Sequence, residues 1–220
     1  MRDAGRFIVL EGGEGAGKST QTALLSSWLE NLGIPHLTAR EPGGTGVGEA
    51  IREVVLKRRD LHVGAESELF LILAARAAFV REVVAPALEE GKTVVADRFD
   101  LSTLAYQGYG RGLPLEKVRV ANELATGGLV PDVYVVLDVP VEQGAKRQER
   151  QGKEPDRMEA SGPDFHERVR QGYLALSRSE PRVRVVSGVG SPEEVHQRIR
   201  EILTAEFPEL ADDRDRERGR

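Results

Sequence analysis

The feature that most constrains this chain is the string Gly12-Gly13-Glu14-Gly15-Ala16-Gly17-Lys18-Ser19, which fits the pattern G-x-x-x-x-G-K-[ST] in full. It follows the apolar run Phe7-Ile8-Val9-Leu10-Glu11 and precedes a segment whose Leu25, Trp28, Leu29 and Leu32 recur at helical spacing. A buried strand, a glycine turn and a helix over 18–32, ended by Gly33, are therefore expected in that order. Glycines let successive backbone N–H groups turn inward around a phosphate, and the helix N-terminus adds positive potential. The loop residues Gly12, Gly13, Glu14, Gly15, Ala16, Gly17, Lys18, Ser19 and Thr20 are thus the candidate binding site for a nucleoside triphosphate. Lys18 is expected at the β- and γ-phosphate oxygens and Ser19 at a Mg2+ ion.

Further short apolar runs at 93–96, 133–137 and 182–186, with a shorter one near 36–39, predict the other strands. Helices are expected over 48–57, 67–90 with a kink near Pro86, 115–125, 141–150 and 165–179. The last helix opens with Ser191-Pro192-Glu193-Glu194, which combines a capping serine, proline at the first helical position and glutamate three residues after the cap. Strands alternating with helices predict an α/β fold in which a parallel sheet is covered on both faces. The length of 220 residues suits one domain, placed at 1–210. Residues 211–220 carry one alanine as their only apolar side chain and are expected to form a disordered charged tail.

Composition removes several alternatives. The absence of cysteine excludes a disulfide framework and thiolate chemistry. A net charge of −5 gives no general attraction to nucleic acid or an anionic membrane. The longest near-apolar stretch, 69–80, is broken by Arg76 and is far short of the roughly 20 residues a membrane span needs, so it reads as a buried helix. No signal peptide is visible, which fits a cytoplasmic location.

Asp97 closes an apolar strand, as a Mg2+-associated acid would, and Arg98 beside it offers a phosphate clamp. Asp138 ends another strand and is the competing candidate for the metal. Arg76 sits within an apolar run, where a guanidinium is costly unless an anion or several acceptors meet it; an internal ion pair would satisfy it equally. Lys146, Arg147, Arg150, Lys153 and Arg157 form a third basic group around a turn-rich segment. They read either as a solvated charged face or as a lid, about 146–162, that brings arginine onto a transferring phosphoryl group. Neither Asn-Lys-x-Asp nor Asp-x-x-Gly occurs, which argues against a signalling GTPase.

These strings together resemble the bacterial thymidylate kinases, over about 6–203. The resemblance is carried by Glu11-Gly-Gly-Glu-Gly-Ala-Gly-Lys-Ser-Thr20, Arg40-Glu-Pro-Gly-Gly-Thr45, Ala74-Ala-Arg76, the long run from Asp97 to Gly112, and Asp156-Arg157-Met-Glu159. It implies a nucleoside monophosphate kinase fold with a five-stranded parallel sheet, ATP and dTMP as substrates, and a homodimer formed through helices. It places Arg98, with Arg52 as a second candidate, at the dTMP phosphate and Glu14 near the sugar. Arg76 would meet the thymine carbonyl, with Thr103 and Gln107 beside the base, Tyr106 against the deoxyribose and the Pro42 turn walling the pocket. The loop carries no arginine at its variable positions, so the family variant implied is the one whose catalytic arginine comes from the lid, with Arg147, Arg150 and Arg157 as candidates. One departure stands out: Ile72 occupies the position where the family usually stacks phenylalanine on the base, a loss on the order of 0.5–1.5 kcal/mol of π geometry. A non-catalytic nucleotide-binding module would keep Lys18 but need neither Arg98 nor the lid arginines. A kinase for another monophosphate is the rival among enzymes.

Overall fold

The strand runs read from the sequence pair into one sheet in the order β2-β3-β1-β4-β5, every neighbouring pair parallel. The computed structural model describes residues 5–150, 152 and 155–211. The strands are β1 Phe7–Gly12, β2 His36–Arg40, β3 Thr93–Asp97, β4 Val133–Asp138 and β5 Val183–Ser187. The helices are α1 Lys18–Asn31, α2 Gly46–Arg52, α3 Ala65–Phe79, α4 Ala85–Glu89, α5 Asp100–Thr103, α6 Leu115–Thr126, α7 Val141–Arg150, α8 Pro163–Ser179 and α9 Pro192–Glu206.

The apolar strands are continuous because both faces are covered. Phe7 and Val9 of β1, with Val94, Ala96, Tyr134 and Val136, turn to a core shared with α3, α6 and α8. Ile8 and Leu10, with Val95, Val133, Val135 and Leu137, turn to the opposite core under α1 and α9. Alternation within each strand thus feeds two layers at once. The capping box at Ser191 forms as expected, with the Ser191 hydroxyl and the Glu194 carboxylate each taking a backbone N–H.

Three features differ from the expectations. The run from Asp97 is helical: α5 continues through a π-helical stretch Leu104–Gly110, which its glycines and aromatic residues had disguised. The 69–80 stretch is not buried all round. α3 runs through a π-helical turn Val80–Val84 into α4, and Phe70 on its outer side is 65% exposed. The helix near 48–57 starts earlier, at Gly46, and gives way to a π-helical stretch over Glu53–Lys57. Of the expected lid, residues 151, 153 and 154 lie outside the described residues, as does the expected tail from 212 onward.

Candidate active site

The carboxyl ends of β1, β2 and β3 open into one cleft, where an open parallel sheet characteristically binds its ligand. β1 leads into the glycine loop. Gly17 caps α1 in the left-handed region at φ 98°, a conformation that side chains beyond glycine rarely adopt. Gly15 and Gly144 face each other, and a Cβ on either would collide with the backbone of the opposite segment. That close approach lets α7 lie against the loop, and Arg147 uses it to donate from Nη1 to the Gly15 carbonyl (3.3 Å) and from Nη2 to the Gly188 carbonyl (3.0 Å).

Lys18 curls back over the loop and donates to the carbonyls of Gly12 (3.1 Å) and Gly13 (2.9 Å). Burial pushes its ammonium below the usual lysine range, with the nearby Arg98 charge acting in the same sense. Arg98 follows β3 with φ 76°, the only positive φ of a non-glycine residue among those described. Such a backbone stores on the order of 1–3 kcal/mol of strain and aims the side chain into the cleft. Its Nη2 donates to Glu14 Oε1 (2.6 Å) and to the Tyr106 hydroxyl (2.9 Å). Its guanidinium also lies 4.7 Å from the Tyr106 ring centroid. Tyr106 in turn donates to Glu14 Oε1 at 2.8 Å. Burial by itself would raise the Glu14 carboxyl. Arg98, Lys18 and the Tyr106 hydroxyl outweigh it and hold the group at about 2.

Ser19 donates its hydroxyl proton to Asp97 Oδ2 at 2.9 Å, beside the loop. These are two hard oxygen donors at a phosphate site, which suits Mg2+, an ion that fills its remaining positions with water and substrate oxygens. Asp138, the competing acid, is engaged elsewhere: Arg170 on α8 meets both its oxygens, Nε to Oδ1 at 2.7 Å and Nη2 to Oδ2 at 3.0 Å.

The far wall of the cleft holds Pro42, Arg52, Ile72, Arg76, Thr103, Tyr106 and Gln107. Arg52 donates to the Pro42 carbonyl at 3.0 Å. Arg76 is fully buried, and its N–H groups are all engaged by the protein: Nε and Nη2 with Glu41 Oε2 (2.8 and 2.6 Å), Nη1 with Thr103 Oγ1 (2.6 Å) and Asn122 Oδ1 (2.7 Å), and Nη2 also with the Phe99 carbonyl (2.9 Å). The internal ion pair weighed for Arg76 is thus present, even though the residue also lines the cleft. Burial raises its partner Glu41 to about 7 in spite of Arg76. Of the other arginines, Arg150 ends α7 exposed to solvent. Arg157 is turned to the interior, where it donates to the Val55 carbonyl and to Glu68 and does not line the cleft.

The sequence reading missed the buried carboxylates that hold this arrangement. Glu11 Oε1 accepts from the backbone N–H groups of Phe99 (2.9 Å) and Ser102 (3.1 Å), and Oε2 from the hydroxyls of Ser102 (2.6 Å) and Tyr173 (2.8 Å). It thereby caps the start of α5 and fixes the turn that carries Arg98. Burial raises its carboxyl above the usual range. A charged residue closing a fully apolar strand was the available signal. Glu41 and Glu68 had no comparable signal.

Comparison with known proteins agrees with this geometry. The family model described as thymidylate kinase matches residues 10–199. The thymidylate kinase of Kosmotoga olearia is 46% identical over 194 residues, covering 88% of this chain and 92% of that protein. That of a Synechococcus species is 49% identical over 203 residues, covering 92% and 96%. A crystal structure of thymidylate kinase from Ehrlichia chaffeensis superposes with a TM-score of 0.74 at 28% identity, covering 91% of this chain and 99% of the other. With one cleft joining the glycine loop to the wall of Thr103, Tyr106 and Gln107, and with these relatives matching nearly end to end, the chain belongs to the thymidylate kinase family.

Proposed function

We propose that the protein transfers the γ-phosphoryl group of ATP to dTMP, giving dTDP and ADP. The observation that carries this reading is the Lys18–Glu14–Arg98 cluster, which stands between the glycine loop and the pocket of Thr103, Tyr106 and Gln107. A phosphate oxygen of dTMP attacks the γ-phosphorus, and the bond to the β–γ bridging oxygen breaks in line with it. No protein nucleophile is required, so the catalytic work is positioning and charge stabilisation.

Lys18 and the loop amides hold the donor phosphates. Arg98 passes from Glu14 to the dTMP phosphate, and Arg52 flanks it. Glu14 remains ionised at neutral pH, so it orients Arg98 and the Tyr106 hydroxyl and does not act as a proton donor. Tyr106 meets the sugar and Ile72 covers the base. Ser19 and Asp97 would hold Mg2+, which supplies neutralisation of phosphate charge when bound. Arg147 and Arg150 on α7 are the better-placed lid arginines, because Arg147 already lies on the loop. Arg157 serves to seat the lid against Glu68. Incubating the protein with Mg-ATP and dTMP and following the 31P spectrum tests this reading. Equal amounts of dTDP and ADP are expected; ADP and inorganic phosphate without dTDP would refute it.

The reading extends to a homodimer in the cytoplasm. Among the described residues no helix is long and apolar enough to cross a membrane. Phe70 of α3 and Val120 and Leu124 of the adjacent α6 are 65%, 68% and 81% exposed, an apolar surface of the kind a second copy covers. Light scattering should give a mass twice that of the chain, and Leu124→Glu should halve it. A wild-type protein that runs as a monomer at micromolar concentration would remove the dimer.

A further inference from the structure

Glu68 lies on α3, completely buried, and is no part of the cleft lining. Its Oε1 accepts from Gln107 Nε2 (2.9 Å) and Arg111 Nε (3.2 Å). Its Oε2 accepts from Arg111 Nη2 (3.3 Å) and from Arg157 Nη2. Both oxygens accept from guanidinium N–H groups, which can only donate, so the side of Glu68 that Gln107 meets is an acceptor. An amide side chain offers one carbonyl and one amino end, and in isolation either could face a ligand. Here the choice is forced. Gln107 must turn its amino end to Glu68, and its Oε1, to which no described group donates, is left for a ligand in the cleft that Gln107 lines.

A mirror-image constraint acts on Thr103. Arg76 can only donate, so Thr103 Oγ1 accepts from it at 2.6 Å, and the threonine proton remains for an acceptor in the cleft. The pocket therefore presents one acceptor and one donor of fixed polarity. A pyrimidine with N3–H and a 4-carbonyl complements that pair. Cytosine, with an unprotonated N3 and a 4-amino group, opposes it at both positions.

We propose that Glu68 is a positioning residue for base selection: it locks the Gln107 amide so that a carbonyl oxygen, and not an amino group, meets the pyrimidine edge. The inference rests on the dTMP kinase reading, and it adds a link to the lid, since Arg157 shares the same carboxylate.

The test compares dTMP with dCMP in the wild-type protein, Glu68→Gln and Glu68→Asp, through both kcat/KM and calorimetric dissociation constants. A glutamine at 68 can donate as well as accept, so Gln107 is freed to turn over. Preference for dTMP over dCMP should then fall by roughly tenfold, the worth of about one hydrogen bond, with the change mainly in KM and in binding. Aspartate remains an obligate acceptor and should keep the wild-type preference. Unchanged preference in Glu68→Gln, or loss of preference in Glu68→Asp as complete as in Glu68→Gln, overturns the assignment. Wild-type turnover of dTMP reports separately on the kinase reading, and the ratio of dissociation constants stays readable whatever that turnover is.

Discussion

Replacing Arg98 by glycine is expected to lower kcat/KM for dTMP by about 1,000-fold or more, while leaving the protein folded. The activity loss follows from its position. Arg98 is the cation that β3 delivers between the loop lysine and the acceptor pocket, and its guanidinium is held by Glu14, Tyr106 and the Gly12 carbonyl. Without it, two polyanionic substrates approach each other with one fewer compensating charge, and Glu14 adds an unneutralised negative charge beside them. The small effect on stability follows from the backbone. The residue stands at φ 76°, where glycine is at ease and arginine is strained, so relief of that strain offsets part of the lost ion pair. Steady-state kinetics together with thermal melting separate the two effects. An enzyme that keeps its activity without this side chain would dissociate Arg98 from catalysis. A collapsed melting transition would instead make its role structural.

The largest stability effect is expected at Arg76. Changing Arg76 to methionine should cost about 3–5 kcal/mol, because it leaves Glu41 buried without its cation. Glu41 Oε2 takes both of its hydrogen bonds from Arg76, and no described protein group donates to Oε1. Thr103, Asn122 and the Phe99 carbonyl would lose a donor at the same time. Against a typical total of about 5–15 kcal/mol, that is a large share. Urea unfolding of the single variant and of Arg76→Met with Glu41→Leu separates the causes. Most of the electrostatic cost should return in the double variant, since no buried charge is left uncompensated, while Thr103, Asn122 and the Phe99 carbonyl still lack the Arg76 donor. A single substitution costing under about 1 kcal/mol would show that water reaches Glu41 and that the pair is not truly buried.

Much of this site was legible in the sequence because its local grammar is strong. The Gly12–Ser19 loop needs a strand before it and a helix after it, and both were visible in Phe7–Leu10 and in the Leu25–Leu29 spacing. The apolar runs at 93–96 and 133–137 gave the parallel sheet, since only strands buried on both faces lack alternation. The helix over 100–110 was not legible. Gly108, Gly110, Thr103, Tyr106 and Tyr109 are poor helix formers, and packing of Phe165, Val169 and Tyr173 of α8 against this segment overrides their propensity. The long-range carboxylates were hidden for a different reason. Glu11, Glu41 and Glu68 find partners 91, 35 and 89 residues away in the chain, so no window of sequence contains both halves of the pair. For Arg76 the sequence left two alternatives, and both have a place: the side chain lines the cleft, yet its donors are spent on the protein. Arg76 and Glu68 each hydrogen-bond a residue of the cleft wall, Thr103 and Gln107, and the proposed base contacts rest on that pair.

The protein should phosphorylate a thymine nucleotide in preference to other monophosphates. A coupled ADP-release assay with Mg-ATP and dTMP, dUMP, dCMP, UMP and dGMP as alternative acceptors measures this preference. The highest kcat/KM is expected for dTMP, with dCMP far below, because the Thr103–Gln107 pair complements the N3–H and 4-carbonyl of thymine and opposes cytosine at both positions. A higher kcat/KM for dCMP or dGMP than for dTMP, or ADP release that no acceptor stimulates, would contradict it.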